Sequence, residues 1–169
     1  MKRYLIRHAT AIARGGHVVD EHRSLTPRGR ESFRLTARKM AKKGTMPDAI
    51  ITSPLVRAVQ TAEILSEALA FEGKLVVSPE LAPGFNVAKL HRILTSFKET
   101  YKVVLVGHET DLGEVAGTLL KLGRPLPLKK GMVVCVKLPP AKQNAQASLK
   151  WILFGGKKTD APALGIDSE

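Results

Sequence analysis

Arg7 and His8 stand side by side near the start of the chain, Ser53 and Arg57 lie four residues apart, and Gly107 and His108 end an aliphatic run. Guanidinium groups are planar, permanently charged and able to grip two phosphoryl oxygens at once. A neutral imidazole beside such a clamp can attack phosphorus as a nucleophile. The arginines and a second imidazole would then hold the equatorial oxygens. Each residue alone has a plainer reading. Arg57 can pair with Glu63 or Glu67 on a helix surface, and His108 can be a hydrogen-bonded histidine at a strand end. The three segments gain meaning from where the chain must place them.

Arg3 to Arg7 reads as a first strand centred on Tyr4-Leu5-Ile6. Thr26-Pro27 has the form of a helix start, threonine as cap and proline in the first turn. That helix carries Phe33, Ala37, Met40 and Ala41 on one face and stops at Gly44. Asp48 to Thr52 is a second strand, and Ser53-Pro54 repeats the cap-and-proline signal before a stripe of Leu55, Val59, Ala62, Leu65 and Leu69. Lys74 to Val77 suits a short edge strand, and Val87, Leu90, Leu94 and Phe97 mark another amphipathic helix. Lys102 to Gly107 is a buried-strand signal with little alternation. Leu112, Val115, Ala116, Leu119 and Leu120 follow as a helical stripe, with Thr110 able to cap it. Met132 to Leu138 and Leu149 to Phe154 are spaced to pair as a hairpin across Ala141 to Ser148. The expected fold is α/β, a three-layer sandwich on a largely parallel central sheet. One domain spans 1–156, and a polar tail spans 157–169. In open sheets of this kind ligands bind beyond the carboxyl ends of the strands. Arg7-His8, Ser53 and Gly107-His108 all follow strands directly.

A chain of 169 residues with 44% hydrophobic and 25% charged residues excludes wholly disordered, fibrous and disulfide-scaffold classes. No apolar run nears the roughly 20 residues of a spanning helix, and charge at Arg7 and His8 interrupts any leader-like start. The single cysteine, Cys135, excludes an internal disulfide and suits a reducing compartment, the cytoplasm by default. The net charge is +12, and residues 1–43 hold 12 Lys or Arg against 3 Asp or Glu. Such a field attracts phosphate in some form or serves solubility. A nucleic-acid-binding module is the reading from a different class. It is disfavoured by an aromatic content of 5%, too sparse for a stacking platform.

On these residues the chain resembles the histidine phosphatase superfamily, the phosphoglycerate-mutase-like fold. Arg7-His8-Ala9-Thr10 is similar to its Arg-His-Gly signature, Ser53 to Thr61 to its Ser-x-x-x-Arg-Ala-x-Gln-Thr segment, and Val104 to His108 to its third motif. The resemblance runs from about Met1 to Phe154. Leu25-Thr26-Pro27-Arg28-Gly29 and the short length look most like the bacterial protein-phosphohistidine phosphatases, the SixA group. It implies a phosphatase in which His8 is transiently phosphorylated and Arg7, Arg57 and His108 bind the phosphoryl group. No metal or organic cofactor is implied. The partner would be a phosphorylated protein or a small phosphorylated substrate. A broader phosphomonoesterase is the near alternative, and a catalytically dead phosphoprotein binder is opposed by the intact four residues.

Ala9 departs from the usual glycine and brings a methyl group beside the site. Only a short stretch separates Ser78 from the strand at Lys102, so no large lid subdomain is expected. In larger members that subdomain supplies a carboxylic general acid. Glu80 is the candidate here, a solvated turn residue being its alternative reading, with Asp20 and Glu109 behind it. Imidazole, with a pKa near 6.5, leaves phosphorus with little assistance, so an acid-poor open site suits phosphohistidine better than an alkyl ester. Three features are set aside. Gly155 to Thr159 lacks the spacing of a phosphate loop. His17, Asp20 and His22 match no metal-ligand pattern. Cys135 sits within an apolar run as an inert thiol.

Overall fold

The structure, a computed structural model, describes residues 1–140 and 146–159. Aliphatic runs form strands and the periodic segments form helices between them. In chain order they are β1 (Lys2–Arg7), α1 (Pro27–Lys42), β2 (Ala49–Thr52), α2 (Val56–Ala68), β3 (Leu75–Val77) and α3 (Val87–Thr95). Then come β4 (Val103–Gly107), α4 (Asp111–Leu119), β5 (Val133–Lys137), β6 (Ser148–Phe154) and β7 (Lys157–Thr159). Single 3-10 turns lie at Asp20–His22 and Pro79–Leu81.

The strands make one sheet in the order β3-β2-β4-β1-β5-β6-β7. The four strands from β3 to β1 are parallel, and β5, β6 and β7 extend the sheet antiparallel. Alternation along the strands sorts the core into two layers. Leu5, Leu105 and Val134 meet Leu90 and Ile93 of α3 and Leu112, Val115 and Ala116 of α4. Tyr4, Ile6, Val104 and Val106 meet Phe33, Ala37 and Met40 of α1 and Ala58, Ala62 and Leu65 of α2. Helices thus cover both faces, the three-layer α/β sandwich of the phosphoglycerate-mutase-like fold, without a large lid.

The Thr26 hydroxyl caps α1 by accepting the Gly29 N–H at 2.9 Å. At Gly29 a Cβ would stand 2.2 Å from the Thr10 carbonyl, so only glycine lets α1 lie this close to the loop that follows β1. The second cap differs from the sequence expectation. Helix α2 starts at Val56, after Leu55, with no side-chain cap; the Ser53 hydroxyl accepts the Leu55 N–H at 3.3 Å and lies 2.7 Å from His108 Nε2. Lys157–Thr159, assigned from sequence to the tail, instead pairs with β6 across a Gly155-Gly156 turn. The rest of that tail, and residues 141–145 of the hairpin connection, lie outside the described residues. Cys135 is fully buried, and burial pushes its thiol up to about 12, which keeps it an inert core side chain. No helix among the described residues is long and apolar enough to cross a membrane.

Candidate active site

The parallel register aligns the strand ends that carry the site. Arg7 is level with Gly107 and Thr52 with Val106. Backbone bonds then continue past the sheet: His8 N–H donates to the Gly107 carbonyl at 3.0 Å, and Ser53 N–H to the Val106 carbonyl at 2.9 Å. Arg7, His8, Arg57 and His108 therefore line one cleft of about 650 Å³. The loop after β1 adds Arg14 and Arg23, and the loops facing it add Pro83, Glu109, Asp111 and Lys130. Five cationic side chains line this cleft against two carboxylates, a balance suited to an anion. The basic first 43 residues are divided: Arg7, Arg14 and Arg23 line the cleft, whereas Arg28, Arg34, Arg38, Lys39 and Lys42 are exposed on α1.

His8 is buried, and its hydrogen bonds settle its tautomer. Nδ1 lies 2.7 Å from the Ala9 carbonyl, which can only accept, so Nδ1 carries the proton. Nε2 accepts from Arg57 Nε at 3.3 Å and so presents a lone pair. Burial pushes the imidazole pKa down to about 4; the Ala9 bond opposes this, and Arg57 and Arg7 add to it. The His108 ring stands 5.2 Å from the His8 ring, centroid to centroid. Its Nε2 lies 2.7 Å from Ser53 Oγ, and its buried Nδ1 has no hydrogen-bond partner. Burial, with His8 and Arg57 as neighbours, lowers its pKa to about 3.

Arg57 is 2% exposed and makes three contacts. Nε donates to His8, Nη1 to the Asp20 carbonyl at 2.7 Å, and Nη2 to Asp20 Oδ2 at 3.0 Å. Arg7 donates from Nη1 to the Leu128 carbonyl at 2.8 Å, while its buried Nε has no partner. The rest of the Ser53–Thr61 segment ties loops to this centre. Thr61 Oγ1 accepts from Ala9 N–H at 3.1 Å and donates to the Arg57 carbonyl at 2.7 Å. Gln60 Oε1 accepts from Leu25 N–H at 2.8 Å. The Ala9 methyl packs in the core cluster of Leu25 and Phe33 and does not line the cleft.

Both imidazoles titrate below their unfolded value of about 6.5, so protonation favours the unfolded chain. Their contribution to stability is complete above pH 6.5 and is lost as pH falls through about 4 and then about 3. The melting temperature is expected to drop over this range, less steeply in His8→Asn than in the wild type. A His8 imidazole NMR titration with its midpoint near 6.5 would overturn this assignment.

The carboxylates are not distributed as sequence reasoning ranked them. Glu80 does not line the cleft; the Arg92 guanidinium on α3 engages both its oxygens at 2.9 and 3.0 Å and lowers its pKa. Asp111 lines the cleft, but its Oδ2 accepts the Gly84 and Phe85 N–H groups. Glu109 also lines the cleft; its Oε1 accepts Leu128 N–H at 2.9 Å, and burial raises its pKa. Asp20 is drawn to three arginines. Sequence reasoning gave it no such role, because a loop carboxylate shows no periodicity. The readable signal is its spacing from Arg23, which a 3-10 turn converts into a 2.8 Å ion pair.

Comparison with known proteins agrees with this geometry. The family model for the histidine phosphatase superfamily (branch 1) matches residues 3–83. An uncharacterised protein of Picosynechococcus sp. is 34% identical over 90% of this chain and 99% of its own length. Among solved structures, the protein histidine phosphatase SixA complexed with tungstate superposes with a TM-score of 0.81. It is 24% identical, over 92% of this chain and 97% of that one. A phosphoserine phosphatase mutant from Entamoeba histolytica, in complex with phosphoserine, gives 0.65 at 15% identity, over 89% and 95%. With Arg7-His8 and Ser53–Arg57 both inside the matched residues and the fold shared throughout, this chain belongs to the histidine phosphatase superfamily.

Proposed function

We propose that this protein is a phosphatase working through a covalent phosphohistidine on His8, with phosphohistidine borne on another protein as its substrate. The observation that carries the reading is a neutral, buried imidazole whose Nε2 lone pair faces the Arg57 guanidinium inside a cationic cleft. His8 Nε2 attacks phosphorus and the bond from phosphorus to the leaving nitrogen breaks. The substrate ring, protonated at its other nitrogen before attack, keeps that proton and departs as neutral imidazole. The positive charge that develops on the His8 ring is met at Nδ1–H by the Ala9 carbonyl. Arg7, Arg57 and His108 hold the phosphoryl oxygens through both steps. Water then attacks phosphorus, the bond to Nε2 breaks, and inorganic phosphate leaves.

Two features support a protein-borne phosphoramidate. The cleft has no large lid over it, so a phosphorylated side chain on a folded partner can enter. The second is a sparse supply of proton donors. Glu80 is ion-paired outside the cleft, and Asp111 is held by two backbone N–H groups. Glu109, its pKa raised by burial, is the one carboxyl of the three that lines the cleft in a form suited to donate. An imidazole leaving group depends on such a donor less than an alkoxide does.

The test compares phosphate release from a phosphohistidine-bearing protein, an aryl phosphate and an alkyl phosphate at matched concentration. A kcat/KM for the phosphohistidine protein at least about 100-fold above that for the alkyl ester is the expected result. Equal rates on the alkyl ester would replace this reading with a general phosphomonoesterase.

A further inference from the structure

We propose that Asp20 is a positioning residue of the phosphoryl clamp, holding the far end of the Arg57 guanidinium so that its Nε edge faces His8. The proposal rests on the phosphatase reading and concerns the same site. A guanidinium has two edges that can engage an oxyanion in bidentate fashion, one formed by Nη1 and Nη2 and one by Nε and Nη2. Asp20 occupies the first edge with two acceptors, its backbone carbonyl at Nη1 and Oδ2 at Nη2. The second edge is left toward His8, with Nε 3.3 Å from the nucleophilic nitrogen. A phosphoryl group arriving at His8 Nε2 therefore meets Nε–H and the remaining Nη2–H together, without any turn of the Arg57 side chain.

Asp20 is itself braced. Its Oδ1 accepts from Arg23 Nε at 3.0 Å and from Arg14 Nε at 2.9 Å. Arg23 is buried and is tied in turn to the Ile12 carbonyl at 2.7 Å. One carboxylate oxygen is thus committed to the loop after β1, and the other to Arg57 on α2. Partial desolvation works against the ionised carboxyl. Hydrogen bonds from Arg23 and Arg14 and the charge of Arg57 outweigh it and hold the pKa at about 2. The anion persists across the working range of pH, and so does its grip on the guanidinium. Nothing in this arrangement asks Asp20 to touch the substrate; it acts through Arg57, and its removal frees a buried side chain to rotate.

The experiment measures kcat/KM on an aryl phosphate and the calorimetric affinity for inorganic phosphate in wild type, Asp20→Ala, Asp20→Asn, Arg57→Ala and the Asp20→Ala/Arg57→Ala double variant. Asp20→Ala is expected to lose about 10- to 100-fold in kcat/KM, with a parallel loss of phosphate affinity, the scale of a misplaced catalytic group. Both variants keep the backbone carbonyl at Nη1, and Asp20→Asn also keeps an amide oxygen of similar shape for Nη2, so it should fall between. The discriminating result is in the double variant, where Asp20→Ala costs less than about twofold beyond Arg57→Ala. A merely structural Asp20 would lower activity in both backgrounds alike, and that result overturns the proposal. So does wild-type behaviour of both single variants. Should Asp20→Ala unfold, the near-isosteric Asp20→Asn decides alone, its loss of phosphate affinity supporting the role and wild-type affinity refuting it. If the wild type turns over no phosphoryl compound, the phosphatase reading fails while the phosphate affinities still judge Asp20; absence of phosphate binding in the wild type defeats both.

Discussion

Turnover of every phosphoryl substrate is expected to fall by at least about 10³-fold in His8→Ala, while the chain stays folded and still binds inorganic phosphate. The size follows from what the side chain supplies. Without Nε2 no covalent intermediate forms, and only the electrostatic holding of the phosphoryl group by Arg7, Arg57 and His108 remains. The fold should survive because His8 lies past the end of β1 and makes only two side-chain hydrogen bonds, to Ala9 and Arg57. Losing them costs on the order of 1–2 kcal/mol, a drop of a few degrees in melting temperature for a domain of this size. Acid-sensitive, alkali-stable label from a radioactive phosphoryl donor should appear on the wild type and be absent from the variant. Retention of more than about a tenth of the wild-type rate would remove the covalent mechanism, whatever the substrate.

The two halves of this site were not equally readable in the sequence. Strand ends were legible because β1, β2 and β4 have short apolar centres, Tyr4-Leu5-Ile6, Ala49-Ile50-Ile51 and Val103 to Val106. A parallel register makes their carboxyl ends coincide, so Arg7, His8 and His108 could be brought together without coordinates. Arg57 was legible from its distance into a helix whose start lies near a strand end. What sequence pattern could not carry was partner choice among loops. Ser53 reads as a helix cap, since serine before proline is a common cap signal. In the structure its hydroxyl lies against His108 Nε2 and accepts the Leu55 N–H, one residue before α2 begins, a pairing that depends on the distant β4 end and leaves no local pattern. Glu80 read as the nearest spare carboxylate, but Arg92 comes within reach of it only once α3 packs beneath the Pro79–Leu81 turn. Asp20 has no period to betray it. Its role depends on the long loop between Arg7 and Pro27 folding back so that one carboxylate meets Arg14, Arg23 and Arg57 at once. The strand at Lys157–Thr159 was hidden for a similar reason. Its lysines suit an exposed sheet edge, and a polar edge strand cannot be told from a tail by composition.

The second large effect is expected at Arg57. Truncation to alanine should lower kcat by about 10²- to 10³-fold, the magnitude of removing one preorganised donor from a transition-state oxyanion. Arg57→Lys should recover only part of this. It restores charge but offers a single ammonium in place of the two-point edge that faces His8. The loss should exceed that of any Asp20 variant, since Asp20 acts only by orienting the group that Arg57→Ala deletes. A second, independent readout separates orientation from charge. Arg57 is among the causes that hold the His8 imidazole at about 4, after burial itself. Its removal should therefore raise the His8 titration midpoint, and burial should still keep it below 6.5. An NMR titration of the His8 ring in wild type, Arg57→Ala and Arg57→Lys reads this directly. Charge alone would leave Arg57→Lys close to wild type in both the titration and the rate. If the charge sets the pKa while the planar edge sets the rate, the lysine variant keeps a low midpoint and loses most of kcat. That split is the expected outcome. Wild-type kcat in Arg57→Ala would place the guanidinium outside the reaction altogether.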